Sequence, residues 1–211
     1  MYPLDNRDDT RAITLPPHAL ARASEPRLFY PGPAWIPPAL VSPLLADRTF
    51  DVQLSFEWQT GQEGVLFSLG DRFAGVAAFV MAGALHFVYQ RWFSPIELAP
   101  MPLKPGHQDL HWHFEALGQR QGHSDLSLNG QAWVTGVNMS PTLVRIPSGG
   151  LTVGMSRRQS VSERYASLGT FNYTGTVRQL RIVPGPQAPD SPMEIDEAKI
   201  QNRLRLERPQ A

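Results

Sequence analysis

Residues Thr49-Phe50-Asp51-Val52-Gln53-Leu54-Ser55-Phe56-Glu57-Trp58 decide the fold. Val52, Leu54, Phe56 and Trp58 share one face, and Asp51, Gln53, Ser55 and Glu57 share the other. A period of two is what a strand with one buried face requires. The pattern returns at residues 109–115, with Leu110, Trp112 and Phe114 inward. Short apolar runs lie between these at 65–69, 76–81 and 85–89. Gly61, Gly70 with Asp71, and Ala82 with Gly83 separate them as turns. The last two runs read as a tight hairpin closed by Ala82-Gly83. Residues 124–128 and 132–137 flank Asn129-Gly130, the strongest short hairpin signal in the chain. Runs at 151–154 and 177–183 complete a set of about nine or ten closely spaced strands without helical periods between them, which predicts an antiparallel sandwich.

Outward from this block, 47–184, the composition changes on both sides. Residues 1–46 hold Pro16, Pro17, Pro26, Pro31, Pro33, Pro37, Pro38 and Pro43, which disfavour long helices and central strands. Yet Leu28, Phe29, Tyr30, Trp35, Ile36, Leu40, Val41, Leu44 and Leu45 are too apolar to stay solvated. The segment reads as an extended, proline-rich arm draped over the sandwich. Residues 185–211 follow a break at Pro184-Gly185-Pro186. They are polar, and Ser191-Pro192 opens a short terminal helix with acidic residues near its start and Arg203 and Arg205 near its end.

The 211 residues suit one domain with extensions, and 42% apolar composition supports a core. The formal net charge of zero gives the whole molecule no pull toward nucleic acid or an anionic membrane. With no cysteine there is no disulfide, thiolate nucleophile or cysteine metal site. Met1 to Arg11 lacks the apolar run of a secretion signal, so the chain reads as cytoplasmic, with a signal upstream of Met1 left open. No stretch approaches the roughly 18 apolar residues of a membrane span.

Near the end of the sandwich stands Tyr173-Thr174-Gly175-Thr176-Val177-Arg178-Gln179-Leu180-Arg181-Ile182. It resembles the closing strand of laminin-G and concanavalin-like jelly rolls, and its spacing breaks alternation between Val177 and Leu180 as a bulge would. The wider order is similar to the C-terminal domain of bacterial arylsulfatases. Tyr2-Pro3-Leu4-Asp5-Asn6-Arg7 resembles the linker after the catalytic domain, and Tyr30-Pro31-Gly32 the entry to the C-terminal one. Gly64-Val65-Leu66-Phe67-Ser68-Leu69-Gly70-Asp71-Arg72-Phe73-Ala74-Gly75 resembles a family stretch, with Asp71 where a glycine is expected. Gly83-Ala84-Leu85-His86-Phe87-Val88-Tyr89 resembles the next hairpin, and Val161-Ser162 and Tyr165 the loop before the final strand. The resemblance implies an accessory domain that packs on a sulfatase catalytic domain, upstream or on a separate chain. It carries over no catalytic residue, because the Cys-x-Pro-x-Arg nucleophile motif and the metal-binding set are absent from this sequence.

The candidate ligand-binding residues are Arg157, Arg158, Arg164 and Trp92. Arg145, Arg157, Arg158, Arg164, Arg178 and Arg181 crowd the late sequence against Glu163 alone. Guanidinium forks bind sulfate and carboxylate, so the alternative to the accessory domain is a carbohydrate-binding module, with sulfated glycans as the class. Trp92 and Phe93 follow a strand and either stack on a sugar or seal the sandwich end. His111, His113 and Glu115 share a strand face, which could carry a metal or simply be a solvated surface. Asp71, Asp109 and Asp125 follow no calcium-ligand spacing. No Gly-x-Ser-x-Gly elbow and no Glu-x-Asp-x-Glu strand is present, so the expectation is no catalytic residue, no metal and no cofactor.

Overall fold

The computed structural model describes residues 25–33, 35–91, 94–140, 149–156 and 160–191. The expected terminal helix, and the prolines before position 25, lie outside them. Two six-stranded antiparallel sheets face each other. The first contains β1 (Arg27–Phe29), β2 (Arg48–Trp58), β8 (Gly106–Gly118), β9 (Gln121–Leu128), β10 (Gln131–Asn138) and β12 (Thr176–Gln187). Its order is β1-β12-β2-β8-β9-β10. The second contains β3 (Gly64–Gly70), β4 (Ala74–Met81), β5 (Ala84–Arg91), β6 (Ile96–Glu97) and β11 (Leu151–Val153), in the order β11-β3-β4-β5-β6. There β7 (Met101–Pro102) also pairs with β5.

Alternation translates directly into layers. Phe50, Val52, Leu54, Phe56 and Trp58 of β2, and Leu110, Trp112 and Phe114 of β8, are buried against Leu66, Val76, Ala78, Phe87 and Tyr89 of the opposite sheet. Trp112 ties the sheets together. Its ring meets Phe87 edge-on at 5.2 Å and Phe50 at 4.9 Å. Its indole N–H, which must find a partner once buried, donates to Ser124 Oγ at 2.9 Å.

The two expected hairpins form. Ala82 and Gly83 take φ of 51° and 74°, and Asn129 and Gly130 take 52° and 75°. Two consecutive left-handed residues make the turn whose twist matches that of the flanking strands. The break in alternation before Leu180 is a register shift between Val177 and Gln179 opposite β2.

Two readings change. Pro38–Leu45 is a helix, α1, not extended chain. Pro38 sits in its first turn, where a missing N–H costs nothing, and at eight residues the helix tolerates Pro43 inside it. Val41, Leu44 and Leu45 bury against the sandwich end. The chain also does not break at Pro184-Gly185-Pro186, because β12 runs on to Gln187. β1 pairs β12 only at residues 180–182. Past Val183 the outer edge of β12 has no neighbouring strand among the described residues, and there proline removes no ladder bond.

Candidate functional site

The outer face of the second sheet is partly roofed. Val65, Ala77, Phe79 and Val88 point away from the main core and form a second apolar cluster with Val161 and Tyr165. The roof is the segment before β12, which includes the short helix α2 (Glu163–Ala166). Ser162 caps that helix by accepting the Arg164 N–H at 3.2 Å. Tyr165 is the anchor. It packs on Phe79 at 5.0 Å and on Phe171 at 5.8 Å, and its hydroxyl accepts the Val161 N–H. Burial pushes that hydroxyl up to about 12. His86 stacks on Phe79 at 4.9 Å and donates to the Met81 carbonyl from Nε2. Burial holds its pKa below the usual histidine value.

Beside the roof the face opens into a cleft of about 420 Å³. Val88, Gln90, Pro95, Glu97, Ser162 and Glu163 line it, and the exposed Arg72 and Phe73 of the β3–β4 loop form its rim. The rim is built firmly. Gly70, at φ 87°, turns the chain out of β3, and an added Cβ there would lie 2.3 Å from the Ala74 carbonyl oxygen. Asp71 Oδ1 accepts the Phe73 N–H at 2.9 Å and the Ala74 N–H at 3.4 Å. Gln90 Nε2 donates to the Arg72 carbonyl at 2.6 Å. The backbone is therefore fixed by side chains from both ends, while the Arg72 and Phe73 side chains are exposed. The Arg72 guanidinium lies over the Phe73 ring, 4.7 Å from its centroid, an arrangement that holds a flexible cation without spending its hydrogen-bond donors.

Of the residues expected at a site, Trp92, Arg157 and Arg158 lie outside the described residues, as do Phe93 and Arg145. Arg164 stands over the second sheet and is bound to Glu97, with Nε and Nη2 at 2.7 and 2.6 Å from Oε2. Arg178 and Arg181 lie instead on the outer face of the first sheet. There Arg178 makes two bonds to Glu57 Oε1, at 3.0 and 2.7 Å, and Arg181 reaches Gln53. The Arg178 bonds hold the Glu57 carboxyl below the usual carboxylate range. Arg72 is isolated in the sequence, so local arginine density does not reveal it; the unexpected Asp71 beside it is the available signal.

The first sheet's outer face also gathers histidines. Asp51 Oδ1 receives His111 Nε2 at 2.8 Å and His113 Nδ1 at 2.9 Å. Among the described residues no three His, Asp or Glu side chains are grouped to hold a metal ion. Asp71 lies in the β3–β4 turn of the second sheet, and Asp109 and Asp125 lie on β8 and β9 of the first, each in separate hydrogen bonds. Ser55, His107 and Glu57 stand in the order of a hydrolytic triad, with Ser55 Oγ 3.4 Å from His107 Nε2 and Nδ1 3.1 Å from Glu57. However, His107 Nε2 is 3.0 Å from Asp109 Oδ2, a closer partner than the serine. The nitrogen that would take the serine proton is already engaged.

The described chain is an all-β sandwich of two antiparallel sheets. No protein-family model matches the sequence, and no curated protein matches it either. Solved structures with a similar course include the Ruminococcus gnavus IT-sialidase CBM40 bound to α2,6-sialyllactose (12% identity, 79% of this chain and 93% of that one, TM-score 0.48). The mouse laminin α1 LG4-5 domains are 15% identical over 70% of this chain and 39% of theirs (TM-score 0.44). The SAP-like pentraxin from Limulus polyphemus is 14% identical over 75% and 74% (TM-score 0.41). These are likenesses of backbone course, and no helix among the described residues is long and apolar enough to cross a membrane.

Proposed function

We propose that this chain is a lectin-like, carbohydrate-binding module whose site is the cleft rimmed by Arg72 and Phe73. One observation carries the reading: an exposed aromatic ring and a guanidinium are held on a fixed loop over a cleft of ligand size, where pockets run to about 300–1,000 Å³. A sugar ring offers an apolar face to an aromatic and a girdle of hydroxyls to planar polar groups. Phe73 supplies the first, and Glu97 and Glu163 supply the second. The shallow opening suits the end of a glycan better than a buried apolar ligand. A panel of immobilised neutral and acidic glycans tests this, with Phe73→Ala as the control. Retention of at least one glycan by the native chain, lost in the variant, is expected; no retention across the panel would refute it.

The accessory-domain reading is favoured by a different observation. Leu28, Tyr30, Trp35 and Leu40 of the arm stay exposed although Val41, Leu44 and Leu45 beside them are buried. Exposed apolar residues of this size suit contact with another domain, and a sulfatase catalytic domain is the partner this reading names. Co-elution of this chain with such a domain, prepared without its own C-terminal part, is the test. The two readings are compatible, since the arm and the cleft use different residues.

A further inference from the structure

We infer that the sugar unit seated in this cleft carries a single carboxylate, bound by Arg72; the inference rests on the glycan-binding reading and narrows it to one chemical class. Among the described residues no carboxylate pairs with Arg72, whereas the neighbouring cation Arg164 is taken by Glu97. Arg72 therefore presents an uncommitted fork of donors, and a guanidinium fork matches a carboxylate in bidentate geometry. The remaining charges set the limit. Glu97 and Glu163 line the same cleft as Arg72. With Glu97 paired to Arg164, Arg72 can take one anion, while further anions on the ligand would meet the carboxylates of Glu97 and Glu163 that line the cleft. A polysulfated chain would bring further anions against those acids at separations shorter than the roughly 8 Å screening length of physiological salt. A neutral sugar would avoid that repulsion but offer the guanidinium only neutral hydroxyl acceptors, without a charge to match its own. Hydroxyls on the same ring can donate to Glu97 and Glu163, which are acceptors only while ionised. This class differs from the sulfated glycans that the arginine-rich late sequence suggests.

Calorimetric titration with matched pairs tests it: trigalacturonic acid against galactotriose, sialyllactose against lactose, and a heparin hexasaccharide as the polysulfated probe. The expected result is that an acidic member binds about ten- to hundredfold tighter than its neutral partner, the ratio a charge-assisted bond supports. Arg72→Gln should abolish that ratio, and Arg72→Lys, which keeps charge but loses the fork, should leave part of it. Arg72 is exposed, so both variants should melt with the native protein. Glu163→Gln should strengthen heparin binding. Equal binding of acidic and neutral members, or tightest binding of heparin by the native chain, would overturn the carboxylate inference while the glycan reading stands. Binding of no probe would overturn the glycan reading and this inference with it.

Discussion

Asp71 and Phe73 form one structural unit: the Asp71 carboxylate accepts the Phe73 backbone N–H at 2.9 Å and so sets the direction in which the aromatic ring leaves the loop. Asp71 is therefore the residue that builds the cleft rim. Asp71→Ala should cost about 1–2 kcal/mol of stability through the lost bonds. It should also weaken glycan binding by more than that loss of stability explains. Asp71→Asn keeps an acceptor and should restore most of both. Thermal unfolding and titration on the same samples check this, and an Ala variant with native binding would show that the rim does not depend on Asp71.

Trp112 and Ser124 test the core. Trp112 is 1% exposed and touches both sheets. Trp112→Ala should cost about 3–5 kcal/mol. Ser124→Ala leaves the buried indole N–H without an acceptor and should cost about 1–3 kcal/mol. Urea midpoints measure both, and a loss below about 1 kcal/mol for Trp112→Ala would contradict the pairing of β2 with β8 that buries this ring.

His86 gives the roof a pH dependence. Burial lowers its folded pKa below the unfolded value of 6.5. Below pH 6.5 the unfolded chain binds the proton first, so stability falls as pH falls from 6.5 toward the folded pKa, and is unaffected above. His86→Phe keeps a ring against Phe79 and should remove this contribution. Unfolding midpoints at pH 7.5 and 5.5 should therefore diverge more in the native chain than in the variant; equal divergence would remove His86 as the cause.

The sandwich was legible because its signal is local. Each of β2 and β8 states its buried face in its own alternation, and Asn129-Gly130 states its own turn. The Val177 bulge was legible for the same reason. Helix α1 was not, because Pro38 and Pro43 argue against helix in general; Pro38 is tolerated by its place in the first turn, and Pro43 in a short helix whose Val41, Leu44 and Leu45 are buried by tertiary packing. The continuation of β12 past Pro184 depends on β1 ending early, a fact about another strand. The cleft was least legible, since Arg72, Gln90, Glu97 and Glu163 are scattered through the sequence and meet only when the roof segment folds over β4 and β5. Local arginine density pointed instead to Arg164, Arg178 and Arg181, which pair separately with Glu97, Glu57 and Gln53.

Arg164 supplies a sharp contrast with Arg72. It is tied to Glu97, so Arg164→Gln should not remove a ligand contact; it should leave Glu97 unneutralised in the cleft. Acidic glycans should then bind more weakly by a few fold, and more so at low salt. Arg164→Gln combined with Glu97→Gln should recover the native affinity. Titration at two ionic strengths checks this, and failure of the double variant to recover would make Arg164 a direct ligand contact.

Amide chemical-shift mapping tests the glycan-binding site most directly. The tightest-binding member of the glycan panel is added to isotope-labelled native chain and the perturbed residues are located. Shifts should concentrate at residues 71–73, 88–90, 97 and 162–164, saturate with the calorimetric affinity and be absent in Phe73→Ala. Shifts centred on His107, His111 and His113 of the opposite sheet, with the cleft unperturbed, would contradict a site at Arg72 and Phe73.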